Sequence, residues 1–243
     1  MFSLIMCVAL FCGHFIKGIT GFGSALISIP IMSFVFAPSD AIVIALISDV
    51  CIGAYLSWVE RRVVVWRILP AMLVGAFIGQ QIGVIVQKSL DEDTVRLCMA
   101  ILISFFAVRL LLGAGALKRR IRFRTTAGGM AGLGAGVMSG LVGSSGPPVV
   151  LFTTSYFDKT KGRSILIAFF FLSAISLVIT LISRGMVSQE AYTYGGFGVL
   201  VSLIAASIGS WISPKVPQLF FTRLVATLLL FCAASMVTIV LLR

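Results

Sequence analysis

Charge is what this 243-residue sequence has least of: 8 Asp and Glu, 19 Lys and Arg, together 11% of the chain. An ordinary globular domain carries about 25% charged residues, so a water-soluble fold is excluded. Histidine occurs once, at His14, and the five cysteines (Cys7, Cys12, Cys51, Cys98, Cys232) show no C-x-x-C spacing. A metal centre or a disulfide framework is therefore not expected, and the cysteines read as small hydrophobes. No carboxylate pair within a segment, no Ser-His-Asp arrangement, no zinc-protease signature and no phosphate-cradling G-K-[ST] is present. The reading is a protein that is not an enzyme, takes no cofactor and has no ATP-binding motif of its own. The formal charge of +11 would suggest nucleic acid in a soluble protein. Here the basic residues stand between apolar blocks without interleaved aromatics, so nucleic acid is not a partner. No Lys or Arg precedes Lys17, and the first segment reads as a retained span, not a signal peptide.

What is present is hydrophobic residue in long blocks, 59% of the chain. The blocks run near 2–16, 25–37, 41–59, 66–87, 94–116, 126–142, 147–157, 164–183, 192–212 and 219–242. A helix needs about 20 such residues to cross a hydrocarbon core of roughly 30 Å, and barrel strands would be shorter and alternating. The fold class is an all-α polytopic membrane protein with the lipid bilayer as its main solvent. Basic residues in short loops report orientation. With Lys118, Arg119, Arg120, Arg122 and Arg124 placed in the cytoplasm, residues 88–96 fall outside and Arg61, Arg62 and Arg67 inside. If residues 125–157 enter and return as a hairpin, Lys159, Lys161, Arg163, Lys215 and Arg223 are also cytoplasmic. That places 13 of the 19 basic residues on one side.

The two halves correspond. Lys17-Gly18-Ile19-Thr20-Gly21-Phe22-Gly23-Ser24 aligns with Ser139-Gly140-Leu141-Val142-Gly143-Ser144-Ser145-Gly146 at an offset of 122, with Pro30 following the first and Pro147 and Pro148 the second. Each half reads as a Gly-interrupted hairpin of broken helices plus three transmembrane helices. Three crossings invert the second half, the plan of many secondary transporters. The units are residues 1–116, a first transmembrane repeat; 117–125, a cytoplasmic basic linker; and 126–243, a second repeat. The arms after the breaks, 24–36 and 147–157, are too short to cross at 1.5 Å per residue, so they read as half-helices that line a cavity.

A half-helix starting inside the membrane offers unpaired amides and a positive dipole end, which suits an anion. Thr20, Ser24, Ser144 and Ser145 add hydroxyl donors, while Gly21, Gly23, Gly143 and Gly146 let the backbone approach closely. Charged residues within spans are rare and functional. Lys17 adjoins the first break as a point charge for the anion or as a residue that snorkels to an interface. Asp49 lies mid-span and suits either proton coupling or an ion pair with Lys17; Arg109 reads as snorkelling toward Lys118. His14, one turn before Lys17, reads as a hydrogen-bonded core residue. Gly128, Gly132, Gly136 and Gly140, and likewise Gly75, Gly79 and Gly83, repeat every four residues, a helix-packing signal.

The stretch from Gly18 to Leu26 with Pro30, and its echo Gly140-Leu141-Val142-Gly143-Ser144-Ser145-Gly146-Pro147-Pro148, resemble the duplicated motif of the TauE/SafE family, also described as the sulfite exporter family. The resemblance covers essentially the whole chain, with Ser145 standing where members commonly have glycine. It implies a multi-pass secondary transporter of the bacterial cytoplasmic (inner) membrane, an exporter of small sulfur-containing anions such as sulfite, sulfonates or sulfoacetate. It also implies that Gly21, Gly23 and Ser24, with Gly143, Ser144, Ser145 and Gly146, form the substrate site. A passive anion channel, a permease for another small organic anion and a non-transporting scaffold remain alternatives, and a homo-oligomer is compatible with each.

Overall fold

Apolar runs of this length satisfy their backbone in a bilayer by forming helices. The computed structural model is helical wherever an element forms among its described residues, which are 2–111, 124–157 and 159–212 together with 227, 230, 233, 234, 237 and 238. The elements are α1 (Phe2–Thr20), α2 (Ser24–Met32), α3 (Pro38–Glu60), α4 (Leu69–Ser89), α5 (Glu92–Leu111), α6 (Arg124–Val142), α7 (Gly146–Tyr156), α8 (Lys159–Ser183) and α9 (Gln189–Ile212). Segments Pro38–Glu60, Leu69–Ser89, Thr160–Ser183 and Gln189–Ile212 are long and apolar enough to cross a membrane. Proline opens α3, α4 and α7, where its missing N–H costs no helical bond.

The side chains are sorted inside out relative to a soluble protein. Val74, Phe77, Ile78, Ile82 and Ile85 of α4, and Phe197, Leu200, Ile204, Ile208 and Trp211 of α9, form exposed apolar stripes at helical spacing. His14, Lys17, Asp49 and Gln80 are buried. Only a hydrocarbon solvent favours that distribution, and it makes the chain a multi-pass membrane protein.

Helix α4 lies along α6, α1 along α9, and α3 against α8 and α9. The glycine repeats explain the first pairing. A Cβ added at Gly132, Gly136 or Gly140 of α6 would sit 2.0, 2.1 or 2.5 Å from the carbonyl oxygens of Met72, Ala76 and Gln80 on α4. Gly75, Gly79 and Gly83 meet the α6 backbone as closely from the other side. At the α1–α9 contact, Gly18 faces the Ala206 carbonyl and Gly209 the Phe15 carbonyl in the same manner. Without Cβ atoms the backbones touch, and dispersion between them replaces the missing hydrophobic drive in lipid.

Several boundaries differ from the sequence expectation. The first arm, expected over 24–36, ends as a helix at Met32, because Pro30 lacks an N–H and residues after Ser33 close into a turn. Residues 159–163, expected as a loop, form the first turn of α8. The loop expected over 88–96 shrinks to Leu90 and Asp91. Asp91 receives the Thr94 hydroxyl at 2.6 Å and the Thr94 amide at 3.0 Å, and so caps α5. Those two bonds, the hydroxyl's foremost, hold the Asp91 carboxyl below its ordinary range. Within α5, Arg96 pairs with Glu92 and Asp93. Residues 117–123 of the expected basic linker lie outside the described residues, as do Lys215, Arg223 and Cys232.

Candidate functional site

Both helices that precede the breaks stop in the same way. Gly21 donates its N–H to the Lys17 carbonyl at 2.7 Å, and Gly143 donates to the Ser139 carbonyl at 2.8 Å. Both glycines are left-handed, at φ 84° and 75°, so each α-helix ends in a single bond closed by a residue that needs no Cβ. Gly23 repeats the conformation at φ 94° and directly precedes α2. Thr20 locks the first break: its hydroxyl donates to the Ile16 and Phe22 carbonyls and accepts the Phe22 amide.

The new helices start at the same cavity. It measures about 30 Å³, room for about two water molecules. Its wall includes Lys17 from α1, Gly23 and Ser24 from the first break, Asp49 from α3, and residues 143–146 from the second break. The cap positions of α2 and α7, Gly23 and Ser145, make no side-chain hydrogen bond to the first turn. Two uncapped helix N-termini therefore meet one polar space, each with a partial positive charge. α2 and α7 have 9 and 11 residues, roughly 14 and 17 Å of helix, about half a hydrocarbon core.

Beside this space stands a charged cluster. Oδ1 of Asp49 receives the Lys17 ammonium at 2.6 Å and the Ser24 hydroxyl at 2.6 Å, and lies 3.1 Å from Nε2 of His14. The Lys17 side chain is 2% exposed, that of Asp49 11% and that of His14 0%. Lys17 thus does not snorkel; it is ion-paired in the interior, the structural partnership that the sequence left open for Asp49. A buried carboxylate survives in such surroundings only when its charge is matched and hydrogen-bonded.

Of the residues singled out in the sequence, Lys17, Gly23, Ser24, Asp49, Gly143, Ser144, Ser145 and Gly146 line the cavity. Thr20 and Gly21 shape the turn instead of the wall. Gly21 lies under Arg163, whose side chain would be 2.9 Å from an added Cβ; Arg163 also binds Glu60 and thereby ties the start of α8 to the end of α3. Sequence reasoning missed Ser139, Phe170 and Ala174 on the wall, and the contact of His14 with Asp49. The i, i+3 spacing of His14 and Lys17 on α1 was the available signal, because it sets both on one face. Among the described residues no group of three or more His, Cys, Asp or Glu is placed to hold a metal ion.

Lipid-facing apolar stripes, buried charge and two broken helices around one polar cavity define a polytopic membrane protein with an internal cavity. The family model "Sulfite exporter TauE/SafE" matches residues 5–236. The chain belongs to this family of membrane transport proteins. No curated protein and no solved structure matches it.

Proposed function

We propose that the protein is a secondary transporter of small sulfur-containing anions, such as sulfite, sulfonates or sulfoacetate, across the bacterial cytoplasmic membrane. The observation that carries this reading is the convergence of two uncapped helix N-termini and the Lys17 ammonium on one cavity. The amides and helix dipoles supply positive potential without a mobile counter-ion, and Lys17 supplies a full charge where water is scarce. An entering anion competes with Asp49 for that ammonium. Asp49 is then the carboxylate available to take up a coupling proton.

Alternating access follows from the pairing of the helices. If α1 corresponds to α6 and α4 to α9, the α4–α6 contact corresponds to the α9–α1 contact, and both are made through glycine. This exchange supports two inverted repeats that rock against each other around the midplane site. The family description supports export as the direction.

Counterflow tests the reading. Proteoliposomes preloaded with unlabelled sulfite should accumulate radiolabelled sulfite transiently, with sulfonates and sulfoacetate competing. A passive channel gives no such exchange-driven overshoot. Absence of counterflow with any of these anions, in folded and inserted protein, rules the proposal out.

A further inference from the structure

The hydrogen bonds around His14 fix a proton count. Nδ1 lies 2.9 Å from the Leu10 carbonyl oxygen, which only accepts, so this contact is a hydrogen bond when Nδ1 carries a hydrogen. Nε2 lies 3.1 Å from Oδ1 of Asp49. An ionised Asp49 also only accepts, which requires a second hydrogen on the ring. The one other way to keep both bonds is a neutral ring that accepts from a protonated Asp49. The two descriptions hold the same number of protons. Turning the ring over would set carbon atoms against both oxygens, so the nitrogens are placed by their partners. With one proton fewer, two lone pairs would face each other at one of the two contacts, and that bond must break.

We infer that the coupling ion of this transporter is a proton held jointly by His14 and Asp49, and that it binds together with the substrate anion. This rests on the anion-transport reading above. With the proton aboard, Lys17, His14 and Asp49 sum to one positive charge; without it they sum to zero. A monovalent anion in the adjoining cavity returns the loaded cluster to zero. Both the empty deprotonated form and the loaded protonated form therefore present a neutral cluster to the low-dielectric interior, where an uncompensated charge is most costly. Proton alone or anion alone leaves a net charge there. The two are consequently carried in the same direction, so export runs down the anion's own gradient and takes the proton out with it, and each raises the affinity for the other by the same factor.

Among the described residues, the elements packed around His14 contain nothing else that would take this proton. From α3 comes Asp49 alone, since Asp40 and Glu60 stand at that helix's two ends. α2 contributes only the hydroxyls of Ser24 and Ser28, whose bonds go to Asp49 and to the Ser24 carbonyl. Along the other side of α1, α9 has one acid, Glu190 in its first turn, beside Tyr192 and Tyr194, and no Lys, Arg or His. On α1 itself the remaining titratable groups are Lys17 and the thiols Cys7 and Cys12, and neither thiol is hydrogen-bonded to the cluster.

The test uses the fact that His14 is the single histidine of the chain. Protein labelled with 15N-histidine and purified through a histidine-free tag into nanodiscs gives the nitrogen spectrum of this one ring. Between about pH 8 and 5 the two signals should converge as the second ring nitrogen gains its proton. Saturating sulfite should move the midpoint up by about one pH unit or more, a tenfold coupling, while chloride at equal ionic strength should not. Asp49→Asn should abolish that displacement. A ring that stays a single neutral tautomer across this range overturns the inference. So does a midpoint unmoved by sulfite in protein for which counterflow demonstrates sulfite exchange. If counterflow is absent but the ring titrates, the sulfite reading fails while the proton site stands.

Discussion

Lys17 Nζ rests 2.6 Å from Asp49 Oδ1, and both side chains are almost wholly withdrawn from the surface. The cation that would greet an anion is already engaged by a carboxylate of the same protein. In the transport reading proposed above, this moderates affinity, because an incoming anion would have to displace an ion pair and could not simply fill an empty positive site. A carrier needs that moderation, since tight binding slows release.

Removing one member of this pair should harm the protein more than removing both. Lys17→Met leaves Asp49 buried with its main counter-charge gone, a cost of roughly 3–5 kcal/mol, whereas Lys17→Met with Asp49→Leu replaces the pair by apolar side chains and should recover much of it. Thermal unfolding in detergent, run as a double-mutant cycle, measures this. Destabilisation by the double variant equal to the sum of the two single effects would show that the pair is not coupled.

Glycines should separate into two classes. Gly132→Ala sets a methyl 2.0 Å from the Met72 carbonyl oxygen, and α4 and α6 must part to accept it; a loss of about 1–3 kcal/mol is expected. Gly196→Ala in α9 meets nothing within 4 Å and should gain up to about 1 kcal/mol from helix propensity. Melting temperatures of the two variants in one detergent provide the comparison.

Backbone conformation, not space, should decide tolerance at Gly23. An added Cβ there meets only Ile16 at 3.8 Å, yet φ is 94°. Gly23→Asn should therefore retain more sulfite counterflow than Gly23→Val, since Asn enters the left-handed region at lower cost than a β-branched residue. The reverse order would point to side-chain volume in the cavity as the determinant.

Capping at Asp91 supplies a pH signature outside the membrane. Its carboxyl is held below the usual range by Thr94, so its contribution to α5 is complete above its unfolded-state pKa. It is lost as pH falls through the lowered folded-state value. Hydrogen exchange at the Thr94 amide should accelerate in Asp91→Ala at neutral pH. Acidification should accelerate it in the parent protein relative to amides deeper in α5.

Much of this arrangement was legible in the residues. Gly21 and Gly143 announce their helix ends because an offset of 122 brings together two glycines that each close a helix. The stripes at Gly75 and Gly132 announce close helix packing because four-residue spacing puts them on one face. Other parts were hidden. Thr20 looks like a cavity donor, but a hydroxyl one turn from a free carbonyl bonds its own backbone first. His14 looks like an ordinary core histidine, since helical spacing gives its face on α1 and says nothing about what α3 sets opposite. The end of α2 was misplaced because hydropathy continues through residue 36 while the hydrogen-bond ladder stops near Pro30.

The two close helix contacts each join one half of the chain to the other: α4 of the first half with α6 of the second, and α9 of the second with α1 of the first. Neither half can cover its own bare-backbone stripe, so each is an unfinished structure that the other completes, as two clasped hands complete a grip. A fragment ending at residue 111 would leave Gly75, Gly79 and Gly83 facing lipid and would satisfy them only by clasping another such fragment. In the single chain, each half thus supplies the surface against which the other's glycine stripe packs.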